Sequence, residues 1–374
     1  MSSEFLWIAA ALASAMAWWF FRRPVGRAPA SAPLQVASLR SALSTVPAAS
    51  PRPAPAYVAT VQPLPDELAG FHWRTESDLD DEHRATLIAA VRGIPRPPRS
   101  MQQLLSPEFV ARASSADLSD LVMGEPLIAA KVLSTVNSPL YGLHRPVTNI
   151  GQAVTFLGIS SVRSLCLQYI LAEAFKPTQA EAQKAFDAIW KASAIASELA
   201  VRLGKALNLP DQASMSTQVV LGFVGQLATA SLIPTAGMPR WLGRDRLERA
   251  RLEQELLGLN AVEIGGLLMK SWELPAALVD DVNDMGRLLV TPPAAIEPER
   301  LPRIALGYLC AHLGEGLAQG RIPSPEALSI GDGVDTHHLR ACLAHPLLAR
   351  LPAALQSPEL QAAVRQMLGE PVET

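Results

Sequence analysis

Helical periodicity is the feature of this sequence that most constrains its fold. Three successive segments between residues 126 and 169 place apolar residues at positions i, i+3, i+4 and i+7, which is the spacing of one face of an α-helix. Pro126 stands at a favourable first-turn position, whereas Pro139 and Gly158 mark the ends of two segments. From residue 85 onward, no alternation of apolar and polar residues requires a β-strand. We therefore expect an all-α fold, a helical bundle of two packed helical halves.

A second pattern predicts a buried helix within this bundle. The run 219–233 is apolar on nearly all sides, with Gln226 near its centre. The run is too short to cross a bilayer, which requires about 20 apolar residues. A helix that is apolar all round is typically buried. We therefore predict that this run forms the central buried helix of the bundle.

An uncharged apolar stretch occupies residues 5–21. At about 1.5 Å per residue it would extend about 25 Å, close to the lower limit for a bilayer core. Three arginines follow the stretch closely, whereas no Lys or Arg precedes it. The positive-inside rule therefore predicts a single-pass transmembrane anchor over residues 1–23, in the inner (cytoplasmic) membrane, with the bulk of the chain cytoplasmic. A cleaved signal peptide, the alternative, would carry its basic residues before the apolar stretch.

The composition changes twice between this stretch and the helical region. Residues 24–65 contain 9 Pro, 10 Ala and no acidic residue, which predicts a Pro/Ala-rich linker rather than a packed core. Residues 66–92 form an acidic segment, with seven carboxylates between 66 and 82. Such a segment is typically a solvated helix face that leads into a domain, and a docking surface is the alternative.

Charge and cysteine content exclude some classes of protein. The 32 Lys and Arg residues face 35 Asp and Glu residues, so the formal net charge is −3. This balance gives no long-range attraction for nucleic acid, and we expect no nucleic-acid partner. The chain has only 3 cysteines, at 166, 310 and 342. An odd and sparse set indicates buried thiols in a reducing compartment rather than a disulfide framework.

Short motifs in the first half of the helical region stand in a specific order. They are Ile94-Pro95, Glu125-Pro126-Leu127, Lys131-Val132-Leu133, Asn137-Ser138-Pro139-Leu140-Tyr141-Gly142, Ile150-Gly151-Gln152-Ala153-Val154 and Leu157-Gly158. In this combination the chain resembles the HDOD family, a bacterial signalling module related to the HD-type metal-dependent phosphohydrolases. The resemblance implies an HDOD domain over residues 93–290 and leaves residues 291–374 as a C-terminal helical extension.

The resemblance also marks a family-signature turn, formed by Asn137, Ser138, Pro139, Tyr141 and Gly142. Short polar side chains next to a helix end commonly bond to the local backbone. We therefore expect Asn137 and Ser138 to cap the helix end and Tyr141 to pack the turn. Contact with a ligand is the alternative role for these residues.

HD hydrolases hold one or two metal ions with histidine and aspartate ligands, and the ions activate a bound water. The resemblance places other residues at the corresponding positions of this chain, namely Ala192, Gly225, Gln226, Asn260, Asn283 and Asp284. Independently of the resemblance, the sequence has no histidine between His144 and His312. We therefore expect a degenerate site with no catalytic residue, no metal ligand and no cofactor.

Two further groups of side chains could hold a cation. Asp280 and Asp284 share a helix face, and such a pair is either solvated surface or a magnesium site. His338, Cys342 and His345 recur at i, i+4 and i+7, so they could present three zinc ligands or form an ordinary half-buried face.

Three functions remain open at this point. The first is a non-catalytic, membrane-tethered regulatory scaffold of bacterial signal transduction, with an unknown protein partner at the membrane. The second is a sensor that binds a nucleotide or cyclic dinucleotide in the emptied HD pocket. The third is a residual metal-dependent phosphohydrolase.

Overall fold

The computed structural model describes residues 63–368, except 139–140, 142, 144, 176–179 and 211. Every regular element in this part of the chain is helical, which confirms the predicted all-α fold. No helix within these residues is both long enough and apolar enough to cross a membrane. The predicted anchor and nearly all of the predicted linker lie outside the described residues.

The α-helices follow one another through short turns. In chain order they are α1 (Asp66–Ala69), α2 (Asp81–Arg92), α3 (Arg99–Leu105), α4 (Pro107–Arg112), α5 (Ser115–Met123), α6 (Pro126–Val136), α7 (Ile150–Leu157), α8 (Ile159–Ala174), α9 (Ala180–Ala206), α10 (Gln212–Gly222), α11 (Val224–Leu232), α12 (Met238–Leu242), α13 (Arg246–Leu257), α14 (Ala261–Ser271), α15 (Ala276–Arg287), α16 (Leu301–Ala318), α17 (His337–Cys342), α18 (Leu351–Leu355) and α19 (Pro358–Leu368). Short 3₁₀ turns lie at Glu76–Asp78, Thr235–Gly237, Pro293–Ala295, Pro325–Ala327, Val334–Thr336 and Pro346–Leu348.

The most extensive helix pairing joins α9 to α16. The two backbones approach closely at Gly314, where a Cβ atom would lie 2.5 Å from the carbonyl oxygen of Ala192. Most side chains of α16 are buried, including Leu306, Leu309 and Leu313. The segment predicted as a C-terminal extension therefore contributes a helix of the core.

Local sequence signals explain how the helices of the first half begin and end. Pro126 is the first residue of α6, where its missing N–H group leaves no helical hydrogen bond unmade. The side chain of Asn149 caps α7, because its Oδ1 accepts a 2.8 Å hydrogen bond from the backbone N–H of Gln152. Gly158 has φ +84°, and this left-handed conformation connects α7 directly to α8.

The run 219–233 is buried as predicted, but it does not form one helix. It contains the end of α10, a turn at Phe223 and the whole of α11. Gly225, near the start of α11, packs directly on the backbone of α14. The prediction of a single helix was wrong. An apolar run indicates that a segment is buried, but it does not show where a helix ends. The close contact of Gly225 with α14 depends on a helix that is distant in the sequence.

Candidate functional site

A cavity of about 80 Å³ lies among α10, α11, α13, α14, α15 and α16. Four of the six positions assigned to the degenerate HD site line it. They are Gly225, Gln226, Asn260 and Asn283. The fold thus gathers these residues around one space, although 58 positions separate the first from the last.

The backbone of α14 covers the position of Gly225. A Cβ atom on Gly225 would lie 1.9 Å from the carbonyl oxygen of Ala261 and 3.2 Å from the Cα of Gly265. No side chain fits at such distances unless the two helices separate. An imidazole ligand is therefore sterically excluded at this position in the observed packing.

Gln226 takes part in a buried ionic cluster. Its Nε2 atom donates a 2.8 Å hydrogen bond to Oε1 of Glu315. The same carboxylate accepts hydrogen bonds from Arg246 Nη2, at 2.6 Å, and from Arg249 Nη2, at 2.8 Å. Glu315 is only 1% exposed, so these three donors replace its lost hydration.

The electrostatic consequences are clearest at two carboxyl groups. Burial alone would raise the pKa of the Glu315 carboxyl, but Arg246 and Arg249 outweigh it and hold this pKa well below its ordinary value of 4.5. Burial raises the pKa of the Glu253 carboxyl, with only partial opposition from Arg249. The cluster therefore contains one carboxylate that stays ionised, Glu315, and one carboxyl group, Glu253, whose pKa burial raises.

Glu253 connects the cluster to the start of α14. Its Oε1 accepts a 2.7 Å hydrogen bond from Trp241 Nε1, and its Oε2 accepts a 2.7 Å hydrogen bond from the N–H of Ala261. Asn260 caps α14, since its Oδ1 accepts hydrogen bonds from the backbone N–H groups of Val262 and Glu263. These hydrogen bonds hold the start of α14 in place at the cavity wall. The side-chain oxygens of Glu253 and Asn260 are therefore already hydrogen-bonded.

The acidic segment closes one side of the cavity. Trp73 lines the cavity and donates a 2.8 Å hydrogen bond from Nε1 to Oε1 of Glu263 on α14. Gln254 on α13 binds the same segment, accepting from the backbone N–H of Arg74 and donating to the carbonyl oxygen of His72. This part of the segment thus packs against the domain.

The HDOD domain model matches residues 94–286, which is more than half of the chain. The chain belongs to the HDOD domain family. No curated protein matches it. The predicted family resemblance is therefore confirmed.

Solved structures with similarity to this HDOD protein come from several bacteria. An HDOD domain protein with unknown function from Geobacter sulfurreducens is 17% identical, with a TM-score of 0.48 over 76% of this chain and 98% of that chain. A protein from Shewanella amazonensis SB2B, provisionally described as a phosphohydrolase, is 22% identical, with a TM-score of 0.46 over 76% and 97%. A protein from Marinobacter aquaeolei VT8, provisionally described as a signal transduction protein, is 20% identical, with a TM-score of 0.48 over 81% and 69%.

Two of the assigned HD positions do not line the cavity. Ala192 lies in the contact between α9 and α16 and is 1% exposed. Asp284 lies on α15, where its Oδ2 accepts a 2.6 Å hydrogen bond from Arg300. Of the candidate magnesium pair, Asp284 is thus already paired with an arginine, which also binds Asp281, whereas Asp280 is exposed.

The described part of the signature turn is held by its own backbone and by Val147. Asn137 ends α6 and forms two hydrogen bonds with Val147, donating from Nδ2 at 2.8 Å and accepting at Oδ1 at 2.7 Å. The carbonyl oxygen of Ser138 accepts from the N–H of Tyr141, whose side chain packs against the core. Pro139 and Gly142 lie outside the described residues.

The histidine stripe of α17 makes local contacts. Cys342 Sγ donates to the carbonyl oxygen of His338 at 3.2 Å, and Nδ1 of His345 accepts from the N–H of Leu347 at 3.2 Å. All three cysteines of the chain are buried, and none forms a disulfide. Over residues 63–368, with the gaps given above, no group of three or more His, Cys, Asp or Glu residues could hold a metal ion.

Neither Trp73 nor the charged residues of the site could be identified from the sequence patterns. Trp73, Arg246, Arg249, Glu253 and Glu315 all line the cavity or bind its lining residues. One signal was present, because Glu315 is the single carboxylate within the mostly apolar helix α16. A lone carboxylate in an apolar helix indicates a buried charge with a partner elsewhere.

Proposed function

We propose that this protein is a non-catalytic HDOD module that acts as a membrane-tethered regulatory scaffold in bacterial signal transduction. The contact between Gly225 and Ala261 carries the non-catalytic part of this proposal. It leaves no room for a metal-binding side chain at the position that the resemblance assigns to histidine. The HDOD family membership supports the signalling part.

The charges around the cavity support the same conclusion. Arg246 and Arg249 place two guanidinium groups on its wall, and a guanidinium group has no acceptor atom for a cation. Their positive charge repels a divalent ion at short range. Gln226, at the position assigned to aspartate, is already hydrogen-bonded to Glu315.

The tether is inferred from the sequence. The uncharged stretch 5–21 and the arginines after it form a single-pass anchor, and residues 24–65 let the HDOD domain search a limited volume beside the inner membrane. Such confinement raises the effective concentration of the domain for membrane-bound partners. In fractionated cells, the full chain should sediment with membranes, whereas a chain without residues 1–23 should not; equal distribution of the two would reject the tether.

Exposed apolar side chains suit a protein partner. Met123, Leu127 and Phe156 are 58%, 58% and 60% exposed and belong to α5, α6 and α7, which pack against one another. Large exposed apolar side chains mark interaction surfaces when they cluster. Met123, Leu127 and Phe156 are therefore the positions to substitute in an experiment that tests for a protein partner.

Crosslinking in intact membranes tests the scaffold. We expect the full chain to crosslink to one membrane-associated protein, and the triple variant Met123→Ser, Leu127→Ser, Phe156→Ser to lose that product. A control variant with Leu256→Ser and Leu347→Ser, which are also exposed, should retain it. The absence of any specific product from the full chain would reject the scaffold proposal.

A second candidate function, that of a sensor which binds a ligand in the cavity, is favoured by one observation. Several buried polar atoms at the cavity have no hydrogen-bond partner among the described residues, as a ligand sensor would require. The cyclic dinucleotide considered from the sequence is large for this space, since ligand pockets usually measure about 300–1,000 Å³. A dinucleotide would therefore require the helices around the cavity to separate, and calorimetry with the full chain would detect its binding.

A further inference from the structure

Three polar atoms at the cavity are buried and lack a hydrogen-bond partner within the described part of the chain. They are Nη1 of Arg249, Nε of Arg246 and Oδ1 of Asn283. Arg249 is 5% exposed and Asn283 is 7% exposed. An unpaired buried polar group is unfavourable, and more so when it is charged. An occupant of the cavity that supplies the missing partners would remove this cost.

The unpaired donors specify the occupant further. Two guanidinium groups, of Arg246 and Arg249, face the carboxyl groups of Glu315 and Glu253. Each guanidinium group still has one buried nitrogen without an acceptor, Nε of Arg246 and Nη1 of Arg249. The occupant must therefore supply acceptor atoms to both arginines, and a carboxylate, with its two oxygens, matches the geometry of guanidinium donors.

The remaining wall limits the size and polarity of the occupant. Most of it is apolar, with contributions from Leu221, Val262, Met269, Val282 and Leu289. A volume of about 80 Å³ corresponds to roughly five to eight water-sized positions at about 10–15 Å³ each. The space therefore suits a ligand of about five to eight non-hydrogen atoms with a short apolar chain.

We propose that this cavity binds a short-chain monocarboxylate, whose carboxylate accepts hydrogen bonds from Arg249 and Arg246 and whose alkyl chain contacts the apolar wall. The proposal rests on the second candidate function and names its ligand class. A hydroxyl group on the chain donates to Oδ1 of Asn283, so a hydroxy acid binds more tightly than the plain acid.

Gly222 provides a variant that closes the cavity with little disturbance of the fold. It lines the cavity, it is exposed, and a Cβ atom there would meet no other atom within 4 Å. Its φ is not in the left-handed region, so other residues fit its backbone. Gly222→Phe fills the mouth of the cavity, and Gly222→Ala is the matched control.

Isothermal titration calorimetry on the full chain in detergent tests the proposal. The probes are butyrate, 3-hydroxybutyrate, n-butanol and inorganic phosphate. We expect saturable binding of butyrate, about fivefold tighter binding of 3-hydroxybutyrate, and no binding of n-butanol or phosphate. Gly222→Phe should weaken butyrate about tenfold or more, Gly222→Ala should leave it unchanged, and Asn283→Leu should remove the preference for the hydroxy acid.

Three results would overturn the proposal. The first is no heat and no thermal shift with either acid. The second is equal binding of butyrate and n-butanol, which would indicate an apolar cavity without a role for the arginines. The third is unchanged butyrate binding in Gly222→Phe together with an unchanged preference for the hydroxy acid in Asn283→Leu, which would place the acid elsewhere. Calorimetric binding of a cyclic dinucleotide without binding of either acid would reject this ligand class and retain the second candidate function, so the two failures are distinguishable.

Discussion

Gly225 lies so close to Ala261 that a Cβ atom on the glycine would be 1.9 Å from the carbonyl oxygen of the alanine. This contact joins α11 to α14 at the position that the resemblance assigns to a metal-binding histidine. The packing of the bundle here leaves no room for such a side chain.

Reintroducing the histidine should damage the protein rather than restore a metal site. Gly225→His must separate α11 from α14, and we expect a loss of about 3 kcal/mol or more in the free energy of unfolding, at or beyond the upper end for overpacked cores. Urea denaturation measures this loss. Gly222→His is the control, because a Cβ atom at position 222 lies in open space. The stability of this variant should therefore change little. A stable Gly225→His variant whose melting temperature rises with zinc or manganese would contradict the account.

The free energy of unfolding should depend on the negative charge of Glu315 in the buried ionic cluster. Glu315→Gln leaves Arg246 and Arg249 without their shared carboxylate, and breaking a buried pair costs about 3–5 kcal/mol. The matched control is Glu326→Gln, whose partner Arg365 lies on the surface and whose loss should change stability little. Equal effects of the two substitutions in urea denaturation would show that the cluster does not stabilise the fold as described.

The sequence predicted the helices, their caps and part of the site. Pro126 and Gly158 act within one or two turns of their own position, so local rules located them. The resemblance then identified Gly225 and Gln226, which the fold brings to the cavity.

The ionic cluster could not be predicted from local patterns. The hydrogen bonds from Arg246 and Arg249 to Glu315 span 69 and 66 positions of the chain. Helix α13 is rich in charged residues and is typical of a solvated helix, yet Arg249 and Glu253 are buried in it. Only tertiary contacts, among them those of Arg246 and Arg249 with Glu315 on α16, decide which charges of α13 lose contact with water.

Acid should destabilise the protein partly through His338. Burial lowers the pKa of its imidazole from 6.5 to about 4, so between these values the unfolded chain binds a proton that the folded protein does not. The contribution of His338 is therefore present above about pH 6.5 and is lost as the pH falls towards about 4. Stability should drop between about pH 7 and about pH 5, and His338→Gln should reduce the drop in urea denaturation.

His83 provides a control, because its pKa is shifted in the opposite direction to that of His338. Hydrogen bonding to Asp80 raises the pKa of its imidazole, so its contribution is lost as the pH rises rather than as it falls. His83→Gln should therefore not reduce the acid-induced drop. A drop that is the same in the native protein and in His338→Gln would contradict the assignment to His338.

The signature turn should depend on both ends of the Asn137 amide. Asn137→Ala removes the two hydrogen bonds to Val147, and we expect a loss of about 1–2 kcal/mol in the free energy of unfolding. Asn137→Asp keeps the acceptor and loses the donor, so its loss should be about half as large. Thermal unfolding of the three proteins measures the series, and an unchanged melting temperature in Asn137→Ala would show that the turn does not need this side chain.

We propose that this HDOD protein does not hydrolyse phosphate esters. The direct measurement is phosphate or nucleotide release by the purified full chain from a panel of nucleotides and cyclic dinucleotides, with added manganese, magnesium, iron or zinc. The account predicts no release above that of the Glu315→Gln variant or of a protein-free blank under any metal. Metal-dependent turnover that disappears in Asp284→Asn would contradict it.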